Sequence, residues 1–159
     1  MDLNLTSENC KNYFYFFTGP IFRAVEKEAK PLYLSRRQHR AACADTAGLS
    51  GALDSATAIE EFRHHSPNKD YDLWRITPPP IKIFNISDYC KDNSLPIDEY
   101  YSSEQNSSHK IHLLFGQSCQ AVMWTSIRRP EGKSLELYIE NIPNFMEKVK
   151  TEIIAGGSA

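Results

Sequence analysis

Arg36, Arg37, His39 and Arg40 fall within one short stretch of the chain, and they are the densest group of side chains able to do chemistry. Guanidinium forks match phosphate oxygens in bidentate geometry, so a cluster of this kind can clamp a phosphate-bearing ligand. On general grounds it is also a solvated basic loop. Glu61 is the second candidate. It stands in the helix-like run Thr57-Ala58-Ile59-Glu60-Glu61-Phe62, where Ala58, Ile59 and Phe62 make one apolar stripe at about 100° per residue. Glu60 then points nearly opposite, and Glu61 lies on the border of the stripe, where a carboxylate can look into a cleft.

Other reactive residue types read as structural. His109 and His112 could share a helix face, yet no nearby carboxylate or cysteine completes a metal set, and no metal site is expected. His64 and His65 close a helix, where imidazolium favours the C-terminal end of the dipole. Cys10, Cys43, Cys90 and Cys119 lack the close pairs of a zinc site or a small disulfide scaffold, and they read as reduced, isolated thiols.

The elements that must position these groups can be read from pattern. YFYFF (13–17), ended by Thr18-Gly19-Pro20, and IFRAV (21–25) suggest a strand or short hairpin. The stretch from Glu26 to Ala47 is charged and aperiodic, and reads as a long loop. Asp54 or Ser55 can cap a helix that runs through His64 and stops at Pro67. Strands are expected at Tyr71–Thr77 and Ile81–Ile86, kept from regular pairing through their join by Pro78-Pro79-Pro80. Ser87-Asp88 mark a turn or helix start, SSEQNSS (102–108) a surface loop, and HKIHLLF (109–115) a helical turn. A strand at Gln120–Thr125, a turn at Arg128–Gly132, a strand at Ser134–Ile139 and a closing helix at Ile142–Ile153 complete the chain.

Strands outnumber helices and several follow turns rather than helical crossovers. The expected class is therefore α+β, with a mixed, largely antiparallel sheet flanked by helices. The 159 residues suit one domain, 1–154, followed by a small-residue tail at 155–159 that reads as a flexible linker. With 41% hydrophobic and 24% charged residues, the composition is that of an ordinary globular domain.

A net charge of -2, from 18 basic and 20 acidic residues, gives no field to attract nucleic acid, and none is expected as a partner. No apolar stretch approaches the roughly 20 residues that span a bilayer, so no membrane partner is expected either. The N-terminal residues carry no secretory pattern, which points to the cytoplasm, or to delivery into a target cell's cytoplasm by a dedicated machine. The seven glycines fall in none of the spacings of a Walker loop, a dinucleotide fingerprint or a serine elbow.

Three separated segments, taken in order, carry a resemblance. Arg23 follows an aromatic in IFRAV, Glu61 closes TAIEE on a helix, and Ser126 ends AVMWTS. This order resembles the RES toxin family, named for its arginine, glutamate and serine. FNISDYC and IRRPEGKSLELY are similar to that family's intervening and following stretches, so the likeness spans roughly residues 21 to 140. In one place the chain departs from the pattern. Where the family has a tyrosine in an L-Y-L-A stretch ahead of the glutamate, this chain has Leu49-Ser50-Gly51-Ala52, and Ser50 takes the tyrosine's place. Tyr33, in PLYLS, matches only if the loop holds a large insertion.

The resemblance implies an ADP-ribosyltransferase-like fold. It also implies NAD as substrate, with no prosthetic group, consumed by hydrolysis, by phosphorolysis or by transfer of ADP-ribose to a protein. In that setting Glu61 would stabilise an oxocarbenium-like ribose carbon, Arg23 would hold the pyrophosphate or an incoming phosphate, and Ser126 would orient the nicotinamide–ribose end. Arg37, Arg40, Ser50 and Tyr33 would be further ligand contacts. Replacing a tyrosine by Ser50 removes a ring that could stack on nicotinamide or adenine, which suggests a catalytically weakened binding module as the alternative. The implied protein partner is an antitoxin or an immunity protein.

Overall fold

A computed structural model describes residues 10–32, 47–94 and 116–158. Within them, eight strands form one sheet in the order β1-β5-β6-β7-β3-β2-β4-β8. The strands are β1 (Phe14–Phe17), β2 (Ile21–Glu26), β3 (Gly48–Ala52), β4 (Asp70–Thr77), β5 (Ile81–Asn85), β6 (Ala121–Thr125), β7 (Lys133–Tyr138) and β8 (Lys150–Ser158). The helices are α1 (Ser55–His65), α2 (Ile86–Asp92) and the short α3 (Phe145–Lys148). β5 and β6 pair in parallel, and the other pairings among the described residues are antiparallel. This is the mixed, largely antiparallel α+β architecture expected from the sequence.

Alternation along the strands divides the sheet into two faces. One face carries Ile21, Leu49, Ile76, Ile83, Met123, Leu135 and Leu137, and the segment after β7 covers it with Ile139, Ile142 and Phe145. The opposite face holds two separate apolar clusters. In one, Ala58 and Phe62 of α1 pack on Ala52, Tyr71 and Leu73. In the other, Ile86, Tyr89 and Cys90 of α2 pack on Phe84, Val122 and Tyr138. Between the two clusters, the central strands β3 and β7 present a polar strip, with Ser50 opposite Glu136 in register and Ser134 two residues along. A polar strip on the middle of a sheet is an unusual use of its most buried position.

α1 begins where the sequence places it. The Asp54 carboxylate accepts from Thr57 N at 2.8 Å and from Thr57 Oγ1 at 2.7 Å, satisfying a donor that the first turn would otherwise leave bare. The helix ends at His65, with Arg63, His64 and His65 in its last turn. α2 is capped in the same manner, Asn85 Oδ1 accepting from Asp88 N at 3.0 Å.

Four expectations need correction. YFYFF and IFRAV are not a hairpin: β1 is an edge strand paired with β5, and β2 lies inside the sheet between β3 and β4. Gly48–Ala52, which follows the expected loop and to which the sequence assigns no element, is strand β3. The closing helix expected over Ile142–Ile153 is limited to α3, and from Lys150 the chain enters β8, which pairs along β4. The β-branched Thr151, Ile153 and Ile154 favour a strand once an open edge is on offer. The supposed linker is part of that strand through Ser158, which pairs with Asp70. Gly157 leaves room there for the Tyr71 ring, since a Cβ would lie 2.7 Å from the Tyr71 hydroxyl and one of the two would have to shift. The HKIHLLF turn lies outside the described residues.

Candidate functional site

Ser126 leaves the end of β6 and is held at both backbone and side chain. Its N–H donates to Gly132 O at 3.0 Å, closing the loop to β7, and Gly132 N donates to Arg129 O at 2.8 Å. Its Oγ accepts from Arg129 N at 3.2 Å and donates to Glu61 Oε1 at 2.7 Å. Ser126 is 2% exposed, so the hydroxyl has little solvent with which to exchange. Ser134, from β7, donates to the same Glu61 oxygen at 3.3 Å. The helix carboxylate thus stands partly exposed over two strand hydroxyls, which fix one of its oxygens.

This approach of helix to loop depends on Gly132. A Cβ there would come 1.8 Å from Thr57 Oγ1, and Thr57 is itself buried and tied to the Asp54 cap. Arg129 reinforces the junction, with Nε 3.7 Å from Asp54 Oδ1 and an ion pair to Glu131.

Arg23 belongs to a second group of contacts. β2 and β3 register at Phe22↔Ala52, and beyond that point the Arg23 guanidinium bridges the strands, Nη1 donating to Ser50 O at 2.8 Å. The Ser50 hydroxyl donates to Glu136 Oε2 at 2.6 Å. Glu136 is 1% exposed, and burial pushes its carboxyl up to about 7, opposed by the Ser50 hydrogen bond and the positive Arg23. Burial also lowers the Arg23 pKa, and Glu136 opposes that shift. Arg23 Nε is buried without a hydrogen-bond partner among the described residues.

The structure therefore joins Glu61 to Ser126, and Arg23 to Ser50, in two groups linked along β7 by Ser134 and Glu136. Tyr33, Arg37 and Arg40 lie outside the described residues. Glu136 and Ser134 went unrecognised in the sequence, where the alternation of SLELY suggests a solvent-facing polar side. The signal that could have found them is Glu136 flanked by Leu135 and Leu137 in a strand with neighbours on both edges. Elsewhere, a hollow of about 440 Å³ lies between β1 and α2, lined by residues that include Tyr13, Tyr15, Asp88 and Asp92, and it contains none of the site residues above. Among the described residues, no group of three His, Cys, Asp or Glu side chains could hold a metal ion. No helix among them is long and apolar enough to cross a membrane.

No family model matches the chain, and no curated protein matches it. Among solved structures it is similar to a chain in the crystal structure of the M. tuberculosis MbcT-MbcA toxin-antitoxin complex. The TM-score is 0.66 at 10% sequence identity, over 96% of this chain and 90% of that one. At that identity the likeness is one of fold.

Proposed function

We propose that this protein is a toxin that consumes NAD by breaking its nicotinamide–ribose bond, as a glycohydrolase or phosphorylase. The observation that carries the reading is the 2.7 Å hydrogen bond from Ser126 to Glu61. It joins two of the three residues that carry the RES resemblance, from a helix and a strand end far apart in sequence. The fold shared with a chain of a toxin–antitoxin complex supports the reading, and an antitoxin or immunity protein is the partner it implies.

The chemistry asks for few groups. The nicotinamide ring is already positively charged in NAD and leaves as a neutral molecule, so the step requires no strong acid. Positive charge grows on the ribose carbon, and a fixed carboxylate there stabilises the transition state more than the ground state. Glu61 has one oxygen pinned by Ser126 and Ser134, which removes the rotation that would weaken such an interaction. Arg23 supplies the charge for the pyrophosphate. The bond from carbon to nicotinamide nitrogen breaks with its electron pair going to the ring, and water, phosphate or a protein side chain takes the vacated position. With a protein acceptor, the same site is an ADP-ribosyltransferase.

The test is nicotinamide release from NAD by the purified protein, with and without phosphate. Release is expected, with Glu61→Ala at least about 100-fold slower; equal rates for the two proteins would sink the proposal. The second product, ADP-ribose or its 1-phosphate, separates hydrolysis from phosphorolysis. One observation favours a second reading. The Ser50 hydroxyl, at the family's tyrosine position, is engaged by a buried carboxylate instead of offering a ring, as a weakened binding module would have it. That module would bind NAD without turnover, which calorimetry distinguishes.

A further inference from the structure

Glu136 is a carboxylate in the middle of the sheet, on a strand bounded on both sides by β3 and β6. Burying an acid there is unfavourable, and an apolar residue would pack at lower cost. The groups set against it on the described elements are Ser50 of β3, Val122 of β6 in register, and Arg23 of β2. Glu61 of α1 reaches the same strand two residues away, at Ser134. Arg23 is the charge that couples to Glu136. Ser50 is exposed beside the buried acid, and its backbone carbonyl holds the guanidinium while its hydroxyl holds the carboxylate.

We propose that Glu136 is a positioning residue for the anion-binding end of this site: through its cross-strand partner Ser50 it orients Arg23 and sets how strongly Arg23 attracts a pyrophosphate-bearing nucleotide. The choice of nucleotide rests on the NAD reading above. An ionised Glu136 offsets the Arg23 charge, and a protonated one leaves that charge to the ligand. Since the acid titrates near 7, ligand binding at Arg23 takes up a proton at Glu136, and affinity falls as pH rises through that value.

ADP-ribose is a suitable probe, because its pyrophosphate diester does not titrate in this range and it cannot lose nicotinamide. Calorimetry on the wild type from pH 6 to 8 should show affinity falling by roughly tenfold. Glu136→Gln, which keeps an acceptor for the Ser50 hydroxyl, should bind with a flat profile at or above the wild-type affinity of pH 6. Ser50→Ala removes a bond that favours the ionised form, so its profile should shift to higher pH. That variant keeps the test open if Glu136→Gln fails to fold. A wild-type slope retained in Glu136→Gln, or a Ser50→Ala profile that does not move, overturns the proposal. So does a wild type that does not bind ADP-ribose. If the predicted slopes appear but NAD yields no nicotinamide, the linkage stands and the catalytic reading falls.

Discussion

Two carboxylates define the site, and their surroundings give them different work. Glu61 lies on a helix border with one oxygen fixed by hydroxyls, whereas Glu136 lies within the sheet's polar strip, where burial opposes its charge. Ser126→Ala should release the Glu61 carboxylate from its shorter contact and lower nicotinamide release by about 10-fold or more, with modest change in melting temperature. A loss of folding in place of a loss of rate would make the Ser126–Glu61 contact structural.

For Glu136 the sign of the stability effect is opposite to that of an ordinary salt-bridged acid. Its folded pKa, about 7, lies above the ordinary value of 4.5. The folded state therefore binds more protons than the unfolded state between these values, and stability falls as pH rises through the window. Glu136→Gln should flatten that part of the curve and raise the melting temperature at pH 8. Thermal melts of the two proteins from pH 5 to 8 would reveal it, and parallel curves would contradict the buried-acid account.

At the scale of elements, the junction of α1 with the β6–β7 loop holds Glu61 over Ser126. Gly132→Ala places a methyl group on Thr57, a short side chain fixed by its cap, so α1 or the loop must shift. The expected loss is roughly 1–3 kcal/mol, with a fall in activity. Adding Thr57→Ala removes the nearest clashing atom and should restore part of the stability. Denaturant midpoints of the single and double variants form the cycle that checks this; strictly additive losses would place the effect elsewhere.

The sequence made some of these elements legible and concealed others for physical reasons. β4, β5, β6 and β7 are runs of apolar or alternating residues ended by Pro, Gly or turn residues, and α1 announces its cap at Asp54. β3, GLSGA, has one large apolar side chain, so it shows no period of its own and exists because β7 supplies a ladder. β8 was hidden because IPNFMEKVKTEI (142–153) satisfies a helical pattern, and only the open edge of β4 decides against it. The same division holds in the site. Glu61 and Ser126 stand out by motif order, but Glu136 needs knowledge of what packs on either side of its strand.

For the whole molecule, β8 closes the sheet beside β4 with a bulge opposite Leu73 and Trp74, and Ile154 packs against the α1 cluster. Removing residues 150–159 would leave β4 as a bare edge beneath that cluster. The truncated chain should melt lower and exchange β4 amide hydrogens faster, with the β5–β6 region less affected. Uniform loss of protection would instead mean that the sheet opens as one unit.

The order of strands also bears on synthesis of the chain. β3 is flanked by β2, made before it, and by β7, made near the end of the described sequence. A nascent chain that has emerged only through α1 carries Arg23, Ser50 and Glu61 but lacks the strand carrying Ser134 and Glu136, as well as the loop carrying Ser126. The site cannot assemble piecemeal as the chain emerges, and it is complete only after β7 has left the ribosome.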